Sequence, residues 1–473
     1  MSKKYENWIE ENQQKFIEIS DKIWEFAEVG FEEYKSSTLL ADTLEKSGFS
    51  IEKNVAGMPT AFYANYGDEK PVIAILGEFD ALPGLSQIKE PIKKPLKEGA
   101  PGHGCGHNLL GTGSLGAVLA VKEAILSGDA KGTIRYYGCP AEEKFNSKGF
   151  MINAGVFKDV DITLSWHPAF MNTINDVSLL AINSVKFKFL GRSAHAAFDP
   201  QNGRSALDAV ELMNVGVNYL REHIIPDARI HYVITDGGEV PNVVPEKAEV
   251  YYFIRAPERP SVEEVYNRVI KIAEGAALMT DTKMEINFLG GMYNPLHTEA
   301  VGEVLLSKMK LVGAPKYNKE EKEFAQKLKK TLPPGSMEAF SRLIPDNFRE
   351  MAKQILDRPL NRMILPGLGK GKVIAGSSDV SDVSRVTPLG EIATTCQIMG
   401  SPGHSWQNVC TSGTSIGHKG MIMAAKVLAL SAIEFMNNPD LVHKAKREFE
   451  EKTKNNPYIS PFPEGFKPPF INQ

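Results

Sequence analysis

Between Gly102 and Gly113 the sequence reads GHGCGHNLLGTG, which packs His103, Cys105 and His107 into five residues among glycines. Imidazole and thiol groups at that density serve three kinds of chemistry: a divalent-metal site, a nucleophile with its base, or a redox thiol. The same residue types recur further along at the ends of apolar runs. Glu142 and Glu143 close GTIRYYGCPAEE, His167 closes DITLSWHP, and His404 stands in MGSPGHSWQN. A carboxylate that follows an apolar strand must be wet in a cleft or paired, because burying it bare is costly. One thiolate, one carboxylate and three imidazoles suit two divalent ions that share a ligand, and the second carboxylate is left for proton transfer.

Each residue also has a bland reading. A lone histidine is more often structural, a free cysteine is a small buried hydrophobe, and adjacent glutamates are usually a solvated face. Their joint placement at strand ends favours the metal site. A cysteine nucleophile fits less well. Cys105 and His107 are two apart on a glycine-loosened loop, and no third group orients the base.

Composition narrows the class. The chain has 473 residues, 42% hydrophobic and 24% charged, with a formal net charge of -4. That balance suits a globular protein of two or three domains and invites neither nucleic acid nor an acidic membrane. The start, MSKKYENWIEENQQKF, has no signal-peptide core, and no window of about 18 apolar residues is expected. The four cysteines, Cys105, Cys139, Cys396 and Cys410, form no CxxC pair and no disulfide framework. A cytoplasmic protein is expected.

The elements that must position these residues follow from periodicity. Apolar spacing predicts helices over 5–28, 35–47 and 109–128. Short apolar runs in 71–84, 132–143 and 161–168 predict buried parallel strands that deliver loops at their C-terminal ends, where α/β active sites lie. From residue 184 the pattern changes. SVKFKFLGR alternates, ARIHYVITDGG and KAEVYYFIRAP resemble it, and helices over 203–222 and 261–277 (Ser261 as N-cap) precede a strand over 284–291. This is an α+β unit inserted into the first domain. Residues 315–362 read as charged, helical and peripheral with a Pro-Pro-Gly break, and 410–437 as a buried helix.

Together GHGCGHN, CPAEE, SWHP, GRSAHAAFDPQNGRSALDAV, DGGEVPNVVPEKAEVYYFIRAP and GSSDVSDVS resemble the M20 metallopeptidase and amidohydrolase family, in its cysteine-containing branch. The resemblance runs in order over nearly the whole chain. It implies an α/β, mainly parallel-sheet catalytic domain in two segments, 1–183 and 298–473, with an inserted α+β lid and dimerisation domain over 184–297. It implies that Cys105, His107, Glu143, His167 and His404 bind two divalent ions and that Glu142 is the general base. His195 would support the oxyanion in the partner subunit's site, and Asn242 and Arg255 would hold the substrate, Arg255 by its free carboxylate. The reaction implied is hydrolysis of the amide of an N-acyl amino acid by a homodimer, with a related A subunit as a further partner.

A cysteine ligand favours zinc on softness, and the branch resembled implies manganese. Two departures stand out. CGHN replaces the usual CGHD, which makes Asn108 a residue behind the ligands. Glu78 and Asp80 stand where the wider peptidase branch has a histidine ligand, and Asp80 is at most an orienting group. His103 reads as a buried structural residue. The rival functions are an aminoacylase, dipeptidase or indole-acetyl-amino-acid hydrolase with the same ligands, and a subunit that binds without catalysis.

Overall fold

The structure, a computed structural model, describes residues 2–144, 146–336, 355–367 and 369–468. An eight-stranded sheet forms its centre, in the order Ser50–Lys53, Phe62–Tyr66, Thr133–Cys139, Val72–Glu78, Ile162–Ala169, Leu389–Thr395, Asn172–Ile174 and Ile364–Leu365. The four strands from Thr133–Cys139 to Leu389–Thr395 run parallel. They are apolar because both faces are covered: every residue of Val72–Glu78 is buried. The strand Leu389–Thr395 was not foreseen. It joins the sheet beside Ile162–Ala169 and ties the C-terminal part of the chain into the first fold.

The helix His107–Leu126 lies against this sheet between the helices Ser2–Phe26 and Ser415–Asn437. It is buried almost all round. Small residues let it come close: a Cβ on Gly113 would meet the Trp166 ring at 2.7 Å. Residues 79–106 separate the strand's end at Glu78 from the helix. By length and composition His107–Leu126 and Ser415–Asn437 are apolar enough to cross a membrane, which corrects the expectation that no such window exists. The protein itself buries 78% and 89% of those windows, as befits helices at the centre of a large core.

A second, four-stranded antiparallel sheet has the order Lys283–Met292, Ala181–Leu190, Lys247–Ala256, Arg229–Asp236. Its alternation is physical: Val185, Phe187 and Phe189 are fully buried against the helices Ala206–Leu220 and Arg259–Thr280, while Lys186 and Lys188 face out. Burying each such aromatic contributes roughly 1.5–3 kcal/mol. Ser261 does not cap its helix. The helix begins at Arg259 after Glu258, because Pro260 is well placed in a first turn. Of the stretch 315–362, Lys319–Lys329 is helical behind an Asn318–Glu321 capping box, and 337–354 fall outside the described residues. The expected helix over 410–437 is two: Trp406–Ser412 and Ser415–Asn437.

Candidate metal centre and active site

Four segments converge beyond the carboxyl ends of the parallel strands. Glu142 and Glu143 follow the strand Thr133–Cys139, and His167 lies near the end of Ile162–Ala169. Cys105 and His107 arrive at the N-terminus of the helix His107–Leu126. Gly106 turns the chain there with φ +89°, a conformation that disfavours other residues. His404 comes from the loop before Trp406. Ala141 (φ 54°) and His404 (φ 53°) both hold left-handed backbone without being glycine. Such strain persists only where surroundings enforce it, and at Ala141 the buried Glu33 carboxylate does so by accepting the Ala141 amide at 2.7 Å.

The donor atoms fall into two overlapping triads, Cys105 with His107 and His167, and Cys105 with Glu143 and His404; within each, the atoms lie within 4.8 Å of one another. Cys105 Sγ stands 3.3 Å from His167 Nε2, and His404 Nε2 stands 3.2 Å from Glu143 Oε2. The imidazoles are oriented from behind. His107 Nδ1 lies 2.8 Å from Asp80 Oδ1, and His167 Nδ1 lies 2.8 Å from the Pro168 carbonyl oxygen. With the protons on Nδ1, both rings turn a lone pair at Nε2 into the centre.

Two buried atoms there, His107 Nε2 and Glu143 Oε1, have no hydrogen-bond partner. Buried polar atoms without a partner are destabilising, and a divalent ion is the partner that a sulfur, nitrogen and carboxylate set suits. The electrostatics agree. Burial works against a charged His107, yet Cys105 and Asp80 outweigh it and hold the ring well above its ordinary value. Burial opposes a charged Glu143 too, but the His404 hydrogen bond and His107 draw it down to about 2. Burial pushes the Cys105 thiol up, and a bound cation would reverse that. The residues fit a divalent-metal centre.

A cavity of about 230 Å³ opens beside the cluster. Glu142, Glu143, Cys105, His167 and His404 line it together with Ser377, Ser378, Ser381 and Val177. Glu142 is raised well above the carboxylate range by burial and by the charges of Glu78 and Glu143.

Across 97% of its length the chain is 42% identical to the B subunit of p-aminobenzoyl-glutamate hydrolase from Escherichia coli, and the alignment takes in 97% of that protein. The chain belongs to the M20 metallopeptidase and amidohydrolase family. As an M20 member it is a metal-dependent amidohydrolase. Residues 178–280 match the family model of the peptidase dimerisation domain, M20_dimer, which covers most of the second sheet and its helices. Solved M20-type folds agree. An aminobenzoyl-glutamate utilization protein from Klebsiella pneumoniae superposes with a TM-score of 0.59 at 17% identity, covering 91% of this chain and 98% of that one. A dinuclear metal binding peptidase of the M20 family from Bacillus subtilis gives 0.57 at 16%, covering 90% and 99%.

Three of the expected site residues are not brought to the centre within one chain. His195, Asn242 and Arg255 do not line the cavity. His195 and Asn242 lie side by side on the exposed rim of the second domain, where His195 bridges Val243 and the Asn242 carbonyl accepts the Ala196 amide at 3.0 Å. Arg255 sits on the outer face of the second sheet over the Phe253 ring, 5.4 Å to the centroid.

Asn108 does not stand behind the ligands as expected. Its amide bonds Ser20 and the Ser412 carbonyl, each at 3.0 Å, and so ties helices together. His103 is buried, with Nε2 3.0 Å from the Ile23 carbonyl oxygen. Asp80 does more than foreseen, since its second oxygen accepts the Glu143 amide at 2.9 Å. Sequence reasoning gave Glu78 no role. It follows the apolar run VIAILG, the same signal that singled out Glu142 after its strand.

Proposed function

We propose that the protein hydrolyses p-aminobenzoyl-glutamate to p-aminobenzoate and glutamate, with two divalent ions, manganese or zinc, at the Cys105 centre. The observation that carries this reading is that Cys105 belongs to both donor triads, so that five side chains suffice for two adjacent ions. The name of the Escherichia coli relative supports the substrate.

His107 and His167 would hold one ion with Cys105, and Glu143 and His404 the other. Bound there, the ions supply Lewis acidity to water and to the amide carbonyl. Glu142 takes the proton that the attacking water loses and passes it to the amide nitrogen as the C–N bond breaks. Its burial suits that task, since a carboxyl raised from its ordinary range retains a proton until the leaving nitrogen accepts it.

His195 is built to donate. Its Nδ1 accepts the amides of Phe198 at 3.0 Å and Ala197 at 3.3 Å, which leaves the ring proton on an exposed Nε2. We assign it to the oxyanion of a partner subunit's site, with Asn242 beside it and Arg255 holding the glutamate carboxylate by its planar fork. A second copy is the partner that the domain favours. The strand Arg229–Asp236 is an open sheet edge carrying exposed Tyr232, Val233 and Ile234, and the neighbouring helix exposes Leu212, Val215 and Tyr219. Unpaired edges with apolar cover call for a strand from another chain. The relative's designation as a subunit also supports an assembly with a related A subunit. The four free cysteines suit the cytoplasm.

The test is hydrolysis of p-aminobenzoyl-glutamate by the purified chain with added manganese or zinc, beside a chelator control and Glu142→Ala. Release of aminobenzoate and glutamate that needs both metal and Glu142 supports the reading. Bound metal without release moves the substrate to another N-acyl amino acid or calls for the second subunit.

A further inference from the structure

We propose that Glu78 is an additional ligand of the ion held by His107, and that the buried pair Lys148 and Asp379 fixes it in that position. This rests on the metal reading of the centre. Glu78 ends the strand Val72–Glu78 and is 2% exposed. Its Oε1 is 2.7 Å from Lys148 Nζ, and the same ammonium bonds the Asp379 carboxylate. Lys148 and Asp379 are wholly buried, and the Lys148 amide also donates to Asp379 at 3.1 Å.

The other Glu78 oxygen, Oε2, is 3.3 Å from His107 Nε2. When an ion takes the Nε2 lone pair the His107 proton stays on the Asp80 side, and this contact then brings a carboxylate oxygen beside the nitrogen that holds the ion. That nitrogen is buried and has no hydrogen-bond partner. The pair is held together by a positive charge at this nitrogen, and a divalent ion can supply it in place of a proton. The spacing is that of two donors on adjacent corners of one coordination shell, which at metal–ligand distances of about 2.0–2.2 Å stand roughly 3 Å apart. A Glu142 oxygen lies within 4.8 Å of both atoms, which sets the proton acceptor beside that ion.

Lys148 explains why Glu78 reaches the ion with one oxygen. The ammonium occupies Oε1 and leaves Oε2 turned inward. Burying a lysine with two carboxylates is expensive, and apolar residues of the same volume would often serve stability as well. The triad therefore points to a positional task. A further carboxylate oxygen also hardens the shell toward manganese, whereas thiolate and imidazole alone lean to zinc.

The test measures metal binding directly, in the full-length protein. Manganese uptake would be followed by the resonance signal of the free ion, zinc by competition with a chelator dye. Wild type should take up two equivalents of manganese. Glu78→Gln should weaken one equivalent by about 10–100-fold or more, leave the other, and lose less affinity for zinc. Unchanged uptake of both manganese equivalents by Glu78→Gln would overturn the assignment and leave Glu78 a structural ion-pair partner. A wild-type protein that takes up no metal would instead sink the reading of the centre itself. Should Glu78→Gln fail to fold, a crystal structure of manganese-loaded wild type decides. A Glu78 oxygen within about 2.3 Å of an ion supports the assignment, and one beyond bonding distance overturns it.

Discussion

Asp80 grips two candidate ligands with one side chain: Oδ1 lies 2.8 Å from His107 Nδ1, and Oδ2 accepts the Glu143 amide at 2.9 Å. The carboxylate is buried, so neither bond is lost to water. One residue thus fixes a ring from the first triad and the backbone of the second. Replacing it should loosen both. Asp80→Ala is expected to lower the affinity of both triads for metal about 10–100-fold. A chelator titration of metal content checks this, and an affinity equal to wild type would contradict it.

Glu142 should separate binding from chemistry. Glu142→Gln removes the proton acceptor and keeps the volume, so hydrolysis should fall about 10²–10⁴-fold with metal content unchanged. Elemental analysis beside initial rates measures both. A rate within a few-fold of wild type would assign the base elsewhere.

His195 tests the shared site. His195→Ala should reduce kcat about 10²–10³-fold, the usual effect of losing one oxyanion donor. A mixture of His195→Ala and Glu142→Gln subunits should then regain activity, because one site in each mixed dimer combines an intact Glu142 with the partner subunit's intact His195. No recovery after subunit exchange would mean that His195 works in its own chain or not in the reaction.

His103 gives a pH dependence of stability. Burial, with the charge of His107, lowers its imidazole to about 3, against about 6.5 for an unfolded histidine. The folded state therefore prefers the neutral ring. Its contribution is fully present above pH 6.5 and is lost as pH falls toward 3, at up to about 1.4 kcal/mol per pH unit. Denaturant unfolding of the metal-free protein between pH 7 and 5 should be flatter in His103→Gln than in wild type. Parallel curves would show that the ring titrates unburdened.

Much of this was legible because local chemistry and local pattern agreed. DITLSWHP announced both a buried strand and a histidine at its mouth, and SVKFKFLGR announced a sheet with one covered face. The ligand set needed only residue types at strand ends. What escaped depended on distant partners. LGEIATT has too short an apolar run to read as a central strand, and its place is set by pairing with residues 163–169. Glu78 acquires its geometry from Lys148 and Asp379, remote in sequence and adjacent only in the fold. Asn108 was placed behind the ligands because it stands where CGHD has its aspartate, but a helix turns neighbouring residues to different sides. His195, Asn242 and Arg255 lie away from the cavity because one subunit's fold does not bring them there.

The strand Leu389–Thr395 also has a bearing on how the protein is made. It supplies the neighbour of Ile162–Ala169, and the helix Ser415–Asn437 closes over His107–Leu126. During synthesis the first catalytic segment leaves the ribosome with one edge of its sheet open, while the second domain, whose four strands and two helices all lie between residues 181 and 292, has every partner it needs. The second domain can fold first and the hydrolytic half must wait. A nascent chain stalled before residue 389 would thus display a finished dimerisation-type domain attached to an unfinished enzyme.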